Sequence, residues 1–256
     1  MAGDAFDLTG KVALVTGGSR GLGRAISFAY AHHGATVVVA SRKAEVCEQV
    51  AQEITQVTGR AAIGLGCHVG DWSACDELVE TVYRELGRVD VLVNNAGLSP
   101  LYPSLAEVTE ELFDKVVAVN LKGPFRLAAA IGSRMAAGAG GSIINVSSVG
   151  AVSPSPRELP YAAAKAGLNT LGAGMSRAFG PSVRVNTIMP GAFLTDVSKA
   201  WDMSAFEAMA KKEIPLERGG VPEEIVGAAL YLASDAASYT TGAVITVDGG
   251  LSSSRG

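Results

Sequence analysis

Short apolar segments alternate with longer helical patterns along nearly all of the 256-residue chain. The apolar segments are Val12–Thr16, Thr36–Ala40, Ala61–Val69, Val89–Val93, Ser142–Ser147, Val183–Met189 and Ala243–Val247. Continuous apolar runs of this length are typical of strands that are covered on both faces. Such strands, separated by helices, form a parallel sheet between two helical layers. We therefore expect an α/β fold in which residues 1–256 form one doubly wound domain with about seven parallel strands.

The predicted helices lie between these strands, at Leu22–His33, Ala44–Thr58, Trp72–Leu86, about Thr109–Ala136, Pro160–Phe179 and Pro222–Ser234. Pro190–Pro215 is the longest segment without a clear period, and long loops in compact domains are usually functional. Ligands of doubly wound sheets bind beyond the carboxyl ends of the strands. The segments that follow the strands are therefore the candidates for a functional site.

Charge and composition exclude several classes of function. The formal net charge is −4, whereas a general binder of nucleic-acid backbones needs a basic surface. The odd number of cysteines, Cys47, Cys67 and Cys75, fits no closed set of disulfides, and their spacing matches no metal site. No apolar stretch approaches the ~20 residues that cross a bilayer, and the chain starts without the features of a signal peptide. We expect a cytoplasmic protein with reduced thiols and no metal, which binds neither nucleic acid nor membrane.

A glycine-rich turn follows the first predicted strand. Thr16-Gly-Gly-Ser-Arg-Gly-Leu-Gly23 places glycines at Gly17, Gly21 and Gly23, in the spacing G-x-x-x-G-x-G. A turn of this kind before a helix lets the backbone approach a pyrophosphate and directs helix N–H groups at its charge. The position between strand and helix predicts a nucleotide site that includes Ser19, Arg20 and Leu22. A glycine-rich turn without a ligand is the alternative.

Two arginines favour a phosphorylated ribose in that nucleotide. The second strand ends in Ser41-Arg42, where a site selective for NAD would place an acid against the ribose 2′-hydroxyl. Arg20 lies within the glycine turn. Because guanidinium groups bind phosphate well, we expect NADP(H) rather than NAD(H). Two merely solvated arginines are the alternative.

Tyr161, Lys165 and Ser148 form a candidate proton-transfer group. In a helix, Tyr161 and Lys165 lie one turn apart on the same face. A phenol has an unperturbed pKa of about 10, and a neighbouring ammonium group lowers it toward the range useful for acid–base catalysis. Ser148 could hold the oxygen that gains or loses the proton. The pair alone also fits an aromatic ring stacked on a lysine stem.

Further motifs occur in a fixed order along the chain. Asn94-Asn-Ala-Gly97 follows the fourth strand, Asn120 lies within a long predicted helix, and Pro190-Gly-Ala-Phe-Leu-Thr195 follows the sixth strand. Ser148 precedes Tyr161 by 13 residues. With the glycine turn and the Tyr161/Lys165 pair, the chain resembles the short-chain dehydrogenase/reductase family over nearly its whole length. Among its members the chain is similar to 3-oxoacyl-[acyl-carrier-protein] reductases. The resemblance implies a Rossmann-type fold and an NADP(H)-dependent oxidoreductase.

The resemblance also implies catalytic roles. Tyr161 is expected to be the general acid for carbonyl reduction and the base for alcohol oxidation. Lys165 is expected to bind the nicotinamide ribose and to lower the pKa of Tyr161. Ser148 is expected to bind the substrate oxygen, with Ser147 as its rival on a strand face that points the other way. Asn120 is expected to support a water chain that resupplies protons.

The remaining expected cofactor contacts follow from the same resemblance. Asn95, Ala96 and Gly97 are expected beside the adenosine ribose, and Ile188, Pro190, Gly191 and Thr195 toward the nicotinamide. After the third strand the family usually has Asp-Val, whereas this chain has His68-Val69. A neutral imidazole accepts one hydrogen bond, so His68 and Val69 are the expected neighbours of the adenine.

The substrate is expected to be a small carbonyl compound or alcohol in an apolar pocket. The candidate lining residues are Leu98, Leu101, Tyr102, Val152, Pro154, Leu159, Phe193 and Trp201. Arg157 and Glu158 are charged candidates, for which a solvated loop is the simpler interpretation. A 3-oxoacyl group on a carrier protein or on CoA is one alternative, although residues 136–141 and 180–182 lack the basic residues that would hold a carrier protein. A non-catalytic NADP(H)-binding regulator is an alternative of another class.

Small residues are dense in Leu127–Ala137 and Ala162–Gly174. They allow close helix packing, which the chain's own sheet would also explain. In the family that the chain resembles, these helices often form dimer interfaces and tetramers are common. We therefore expect a homotetramer.

Overall fold

The strands lie in one sheet. The structure is a computed structural model that describes residues 5–196, 198 and 201–253. Its strands are β1 (Val12–Thr16), β2 (Thr36–Ser41), β3 (Ala62–Gly66), β4 (Val91–Asn94), β5 (Gly141–Val146), β6 (Val183–Pro190) and β7 (Val244–Val247). They pair in parallel in the order β3-β2-β1-β4-β5-β6-β7. The predicted doubly wound α/β fold with seven parallel strands is confirmed.

Helices cover both faces of the sheet. They are α1 (Gly21–His32), α2 (Ala44–Thr58), α3 (Trp72–Leu86), α4 (Glu110–Val117), α5 (Gly123–Ala137), α6 (Leu159–Ala178), α7 (Met203–Glu213) and α8 (Val226–Ala233). Alternate residues of β1 point to opposite faces, so Ala13 and Val15 join one core cluster while Val12 and Leu14 join the other. The first cluster includes Ile26 of α1. Burying one such aliphatic side chain contributes about 1.5–3 kcal/mol.

Local signals fix the ends of several helices. The carboxylate of Asp71 accepts a hydrogen bond of 3.1 Å from the backbone N–H of Ala74 and thereby caps α3. Gly59 and Gly87 follow α2 and α3 with φ of 68° and 75°, which is the left-handed conformation that glycine adopts most easily. These caps explain why the predicted bounds of both helices are correct.

The long helix predicted for Thr109–Ala136 is interrupted by a π-helical turn. Residues Ala118–Lys122 join α4 to α5, and the N–H of Gly123 donates to the carbonyl of Ala118. Pro124 has no N–H, so the carbonyl of Asn120 lacks the ordinary partner four residues later. The proline therefore explains why the pairing shifts, and π turns of this kind frequently occur at functional sites.

Two other predicted boundaries differ from the structure. The segment Pro190–Pro215, which lacks a clear period, contains α7. Only Ala210 of that helix is buried. The sequence of α7 therefore has almost no apolar stripe from which a helix could be predicted. The third strand ends at Gly66 rather than at Val69, because residues 67–70 turn away from the sheet and lead into the Asp71 cap.

The strand order reverses beside β1, which pairs with β2 on one side and with β4 on the other. The connections that follow β1 and β4 consequently leave the sheet in opposite directions. Between them lies the crevice in which such folds bind their ligands. The glycine turn and the segment Asn94–Gly97 both lie at this point.

Candidate active site

The glycine turn leaves space that a side chain would fill. A Cβ atom on Gly23 would lie 2.3 Å from the carbonyl oxygen of Gly17, a separation that protein side chains do not tolerate. Gly17 and Gly21 have φ of 63° and 51°, so both need the conformational freedom of glycine. The turn thus exposes backbone at the N-terminus of α1, where N–H groups and the helix dipole favour a phosphate.

Asn95 braces this turn from the neighbouring strand. Its side-chain amide donates to the carbonyl of Thr16 at 2.9 Å and to that of Gly17 at 3.2 Å. The hydroxyl of Thr16 in turn accepts from the backbone N–H groups of Asn95 and Ala96, at 3.0 and 3.2 Å. Asn95 therefore fixes the shape of the glycine turn Thr16–Gly23, which we call the glycine cradle. Spacing along the chain does not reveal this function of Asn95.

Ser41 and the two arginines lie where the nucleotide ribose was expected. The hydroxyl of Ser19 donates to that of Ser41 at 3.0 Å and ties the turn to the end of β2. Arg20 and Arg42 are both exposed. Within the described part of the chain, neither guanidinium group forms an ion pair. Two cations thus flank one end of the cradle and are free to bind an anion.

Tyr161 and Lys165 lie on α6 as predicted, and the lysine ammonium nitrogen is 5.7 Å from the centre of the tyrosine ring. Lys165 is 2% exposed, and its Nζ donates a hydrogen bond of 2.7 Å to the carbonyl of Val146 at the end of β5. This bond aims the lysine at the carboxyl edge of the sheet.

The two serines after β5 point in different directions. Ser147 is buried, and its hydroxyl donates to the backbone carbonyl of Lys165 at 3.2 Å. The side chain of Ser148 forms a hydrogen bond with Tyr161, and its Oγ also accepts from the N–H of Gly150 at 3.1 Å. Ser148, rather than Ser147, thus lies beside the phenol.

Asn120 joins the same group of side chains through Gly97. Its amide donates to the carbonyl of Leu98 at 2.8 Å and to that of Val116 at 2.9 Å. A Cβ atom on Gly97 would lie 2.9 Å from Asn120 Oδ1 and 3.6 Å from Lys165 Nζ. The structure therefore brings Asn120, Lys165 and the segment after β4 together at one point.

Burial disfavours the charged forms of both Tyr161 and Lys165. It raises the pKa of Tyr161 to about 12, while the hydrogen bond with Ser148 lowers it and the charge of Glu158 raises it. Burial also lowers the pKa of Lys165 to about 8. The expectation that Lys165 lowers the pKa of Tyr161 is not met in this structure, because burial has the largest effect and Lys165 is not among the groups that shift this pKa. At neutral pH the phenol is protonated and able to donate a proton.

The segment after β6 approaches the glycine turn. Thr195 carbon atoms lie 3.5 Å from the position of a Cβ on Gly21. Pro190 ends β6, and a Cβ on Gly191 would lie 2.6 Å from Cβ of Asp248. Ile188 is fully buried within β6. Of these four predicted residues, Thr195 thus reaches the cradle, whereas Ile188 is part of the core.

The predicted adenine contacts lie after β3. His68 is exposed, whereas Val69 is 7% exposed. A Cβ atom on Gly123 would lie 2.0 Å from the carbonyl oxygen of Val69, so this glycine lets the start of α5 pack closely against the loop. Val69 is thereby fixed in place, while His68 faces outward.

Comparison with known proteins agrees with this arrangement. A family model described as enoyl-(acyl carrier protein) reductase matches residues 17–252. D-threitol dehydrogenase of Mycolicibacterium smegmatis is 40% identical over 251 residues, which cover 96% of this chain and 94% of the relative. The chain belongs to the short-chain dehydrogenase/reductase family. A 3-oxoacyl-[acyl-carrier-protein] reductase of Thermotoga maritima is 39% identical, over 95% of this chain and 98% of that enzyme.

A solved structure extends the likeness to the fold of this dehydrogenase/reductase. A gluconate 5-dehydrogenase from Burkholderia cenocepacia, in complex with NADP and tartrate, superposes with a TM-score of 0.92 at 33% identity. The match covers 98% of each chain. The cradle of Gly17 and Gly23, whose side-chain positions lie against backbone, fits a nicotinamide dinucleotide of the kind bound there.

The lining of the substrate region partly differs from the prediction. Phe193 is 8% exposed and packs in the core beside Gly220, so its assignment to the lining is wrong. Tyr102 is 5% exposed, and its hydroxyl donates to the carbonyl of Pro156 at 2.9 Å and accepts from the N–H of Leu159 at 2.8 Å. Tyr102 therefore ties two loops together. Leu101, Val152 and Trp201 are exposed apolar side chains, as a lining requires.

Glu158 is one of two charged candidates for the substrate region, and the structure places it at this site rather than in a solvated loop. Arg157 is exposed, as a solvated loop predicts, but Glu158 is half-buried and near enough to Tyr161 for its charge to raise the pKa of the phenol. Glu158 lies three residues before Tyr161 along the chain, and this position alone does not distinguish a site residue from a residue of a solvated loop.

Metal clusters and membrane-spanning helices are both absent from the described residues. Within residues 5–196, 198 and 201–253, no group of three or more His, Cys, Asp or Glu side chains could hold a metal ion. In that same part of the chain, no helix is both long and apolar enough to span a membrane.

Proposed function

We propose that this enzyme interconverts a ketone and a secondary alcohol with NADP(H), and that Tyr161 is its general acid and base. The observation that carries the proposal is the convergence of four side chains at one edge of the sheet: Ser148 lies beside Tyr161, Tyr161 beside Lys165, and Lys165 meets Asn120 at Gly97. A bound nicotinamide supplies the hydride for reduction or accepts it in oxidation. The protein's part is to hold the carbonyl and to move the proton.

Each side chain has one task in this proposal. Ser148 donates a hydrogen bond to the substrate oxygen, and Tyr161, protonated at neutral pH, donates the proton that this oxygen needs during reduction. Lys165 holds a positive charge near the phenol and orients the ribose hydroxyls. Asn120, at the π turn, orients water from which the proton lost by Tyr161 is replaced by way of Lys165. In oxidation the proton moves the other way.

Preference for NADP(H) over NAD(H) is part of the proposal. Exposed Arg20 and Arg42 lack ion-pair partners in the described part of the chain and flank the Ser19–Ser41 hydrogen bond. A 2′-phosphate supplies the anion that both guanidinium groups can bind. His68 and Val69, after β3, are proposed to contact the adenine.

The contacts of two arginines favour a substrate that is not attached to a carrier protein. They are the arginines closest along the chain to residues 136–141 and 180–182. Arg134 forms an ion pair with Glu80 and stacks on the ring of Tyr83. Arg184 is largely buried and donates to the carbonyl of Ser234 at 3.1 Å. Because both arginines are engaged within the chain, they are poorly placed to bind an acidic carrier.

A cytoplasmic homotetramer completes the proposal. The three cysteines are buried free thiols, which fits a reducing compartment. Trp72 of α3 and Phe125 of α5 are exposed aromatic residues whose ring centres lie 6.3 Å apart, and such an apolar patch is suited to subunit contact. Sedimentation of the purified protein measures the assembly directly.

The acid–base assignment is tested by Tyr161→Phe, which removes the hydroxyl and keeps the ring. We expect reduction of a panel of ketones by NADPH to slow by a factor of about 100 or more, the usual effect of a general acid. Tyr239→Phe is the matched control, because Tyr239 is fully exposed, and it should leave the rate unchanged. Equal rates for wild type and Tyr161→Phe, or no reduction of any ketone despite tight NADPH binding, would contradict the proposed function.

A further inference from the structure

Glu158 reaches the space in front of the catalytic pair. The position of a Cβ atom on Gly150 lies 3.4 Å from Ser148 Oγ, 3.7 Å from Glu158 Oε1 and 3.9 Å from Tyr161 Cε1. Three functional side chains therefore border one small volume, which is open because residue 150 is glycine. A substrate whose oxygen contacts Ser148 and Tyr161 must pass close to this carboxylate.

The carboxylate is held in that position from two sides. Ser99 Oγ donates a hydrogen bond of 2.9 Å to Glu158 Oε2, so the other oxygen, Oε1, faces the space beside Gly150. The backbone on either side of Glu158 is fixed by the buried hydroxyl of Tyr102, which bonds to Pro156 and Leu159. Glu158 is thus a preorganised acceptor rather than a freely moving surface side chain.

The charge of Glu158 has no counterion within the described part of the chain. None of the ion pairs recorded there includes it, and neighbouring Arg157 is exposed. A half-buried carboxylate without a neighbouring cation attracts an opposite charge more strongly than the same pair would attract in bulk water. Leu159, the next residue along the chain, is apolar and supplies no such charge.

We propose that Glu158 is a specificity-determining residue that binds a protonated amine on the substrate and rejects substrates with a carboxylate at that place. The substrate class is then a ketone, or the matching secondary alcohol, that carries a basic nitrogen a few bonds from the reacting carbon. An ammonium group satisfies both the charge and the hydrogen-bonding capacity of Oε1, whereas a hydroxyl satisfies only the latter. This inference rests on the proposed function of the same site.

Four 4-substituted cyclohexanones test the proposal. They carry dimethylamino, isopropyl, hydroxyl or carboxylate substituents, and isopropyl is the neutral isostere of protonated dimethylamino. Binding of each is measured by ligand-observed NMR in the presence of NADP+, which cannot reduce the ketone, so that affinity is read without turnover. Variants are Glu158→Gln, which keeps the shape of the side chain, and Glu85→Gln, a control at the end of α3.

The wild type should bind the dimethylamino compound about tenfold or more tightly than the isopropyl compound, since only the dimethylamino compound can form a charge-assisted hydrogen bond with Glu158. Glu158→Gln should abolish that difference and leave the isopropyl affinity unchanged, and Glu85→Gln should behave like wild type. A wild-type preference for the hydroxyl or carboxylate compound, equal binding of all four, or an equal loss of dimethylamino and isopropyl binding in Glu158→Gln would overturn the assignment. Failure of Tyr161 catalysis would show instead in the turnover of Tyr161→Phe, while these affinities still decide the role of Glu158.

Discussion

At the scale of single residues, burial of the Lys165 ammonium group reduces the stability of the folded protein. The ammonium group is buried, makes a hydrogen bond to the carbonyl of Val146, and has its pKa lowered to about 8 by burial. A shift from 10.5 to about 8 corresponds to a penalty on the order of 3 kcal/mol for the charged form. The fold therefore tolerates a charge that the proposed mechanism uses, a common trade between stability and activity.

This penalty predicts a pH-dependent stability difference between wild type and Lys165→Met. Between pH 8 and 10.5 the folded state holds fewer protons on Lys165 than the unfolded state does, so raising the pH through this window stabilises the wild type. Relative to Lys165→Met, the free energy of unfolding of the wild type should increase by about 2 kcal/mol from pH 7 to pH 10. Urea denaturation of the cofactor-free proteins measures it; parallel pH profiles would show that Lys165 is not shifted. Tyr161 is present in both proteins, so its own titration cancels in this comparison.

Residue types and spacing predicted part of the site. The choice of Ser148 over Ser147 agrees with where the two hydroxyls point in the structure, because a serine pair at the end of a strand must face opposite ways. Glu158 is a charged candidate for the substrate region, but its position beside Tyr161 could not be predicted, since it depends on Ser99 and Tyr102, which are more than 50 residues away along the chain. Contacts of that range arise only once the loops meet in three dimensions.

At the scale of elements, the turn between β1 and α1 depends on a partner from another strand. Its position and glycines were predictable, because they are local. The bracing by Asn95 was not, since that amide comes from a segment 78 residues away. The π turn at Asn120 has a local cause in Pro124, yet the sequence also fits an uninterrupted helix. A proline in the first turn after a break is compatible with both.

The hydrogen bonds of Asn95 to the glycine turn predict that Gly23→Ala strongly weakens nucleotide binding. The added methyl group would lie 2.3 Å from the carbonyl oxygen of Gly17 and 2.4 Å from Nδ2 of Asn95, so the turn must open and both Asn95 hydrogen bonds must stretch. We expect NADPH affinity to fall by a factor of about 100 or more, as two or more hydrogen bonds to the pyrophosphate are lost. Fluorescence titration with NADPH measures the loss.

The control for this change is Gly227→Ala. Gly227 lies in α8, and a Cβ there meets nothing within 4 Å, so alanine should stabilise the helix by up to about 1 kcal/mol without affecting affinity. Unaltered NADPH binding in Gly23→Ala would mean that the turn is not the phosphate cradle.

At the scale of the whole molecule, the alternation of strands and helices predicted the class of fold but not the order of the strands. Strand order follows from which helices pack on which face, and the apolar strands are nearly equivalent in composition. The reversal beside β1 is nevertheless what brings the glycine turn, Gly97 and α6 to one edge. The strand order therefore determines where the site lies. The conformations of the loops that contact the substrate depend in addition on the contacts between those loops.

Binding at that edge should stabilise the whole molecule and thereby report cofactor preference. A ligand that binds only the folded state at 100 times its dissociation constant adds about 2.7 kcal/mol, or about 5–10 °C in melting temperature for a chain of this size. If Arg42 binds a 2′-phosphate, Arg42→Asp should weaken NADPH binding by about tenfold or more. The NADPH-induced shift should then shrink to that given by NADH, while the NADH shift stays unchanged. Arg60→Asp, an exposed arginine just before β3, controls for net charge and should leave both shifts intact. An equal reduction of the NADPH and NADH shifts in Arg42→Asp would show that Arg42 does not distinguish the two cofactors.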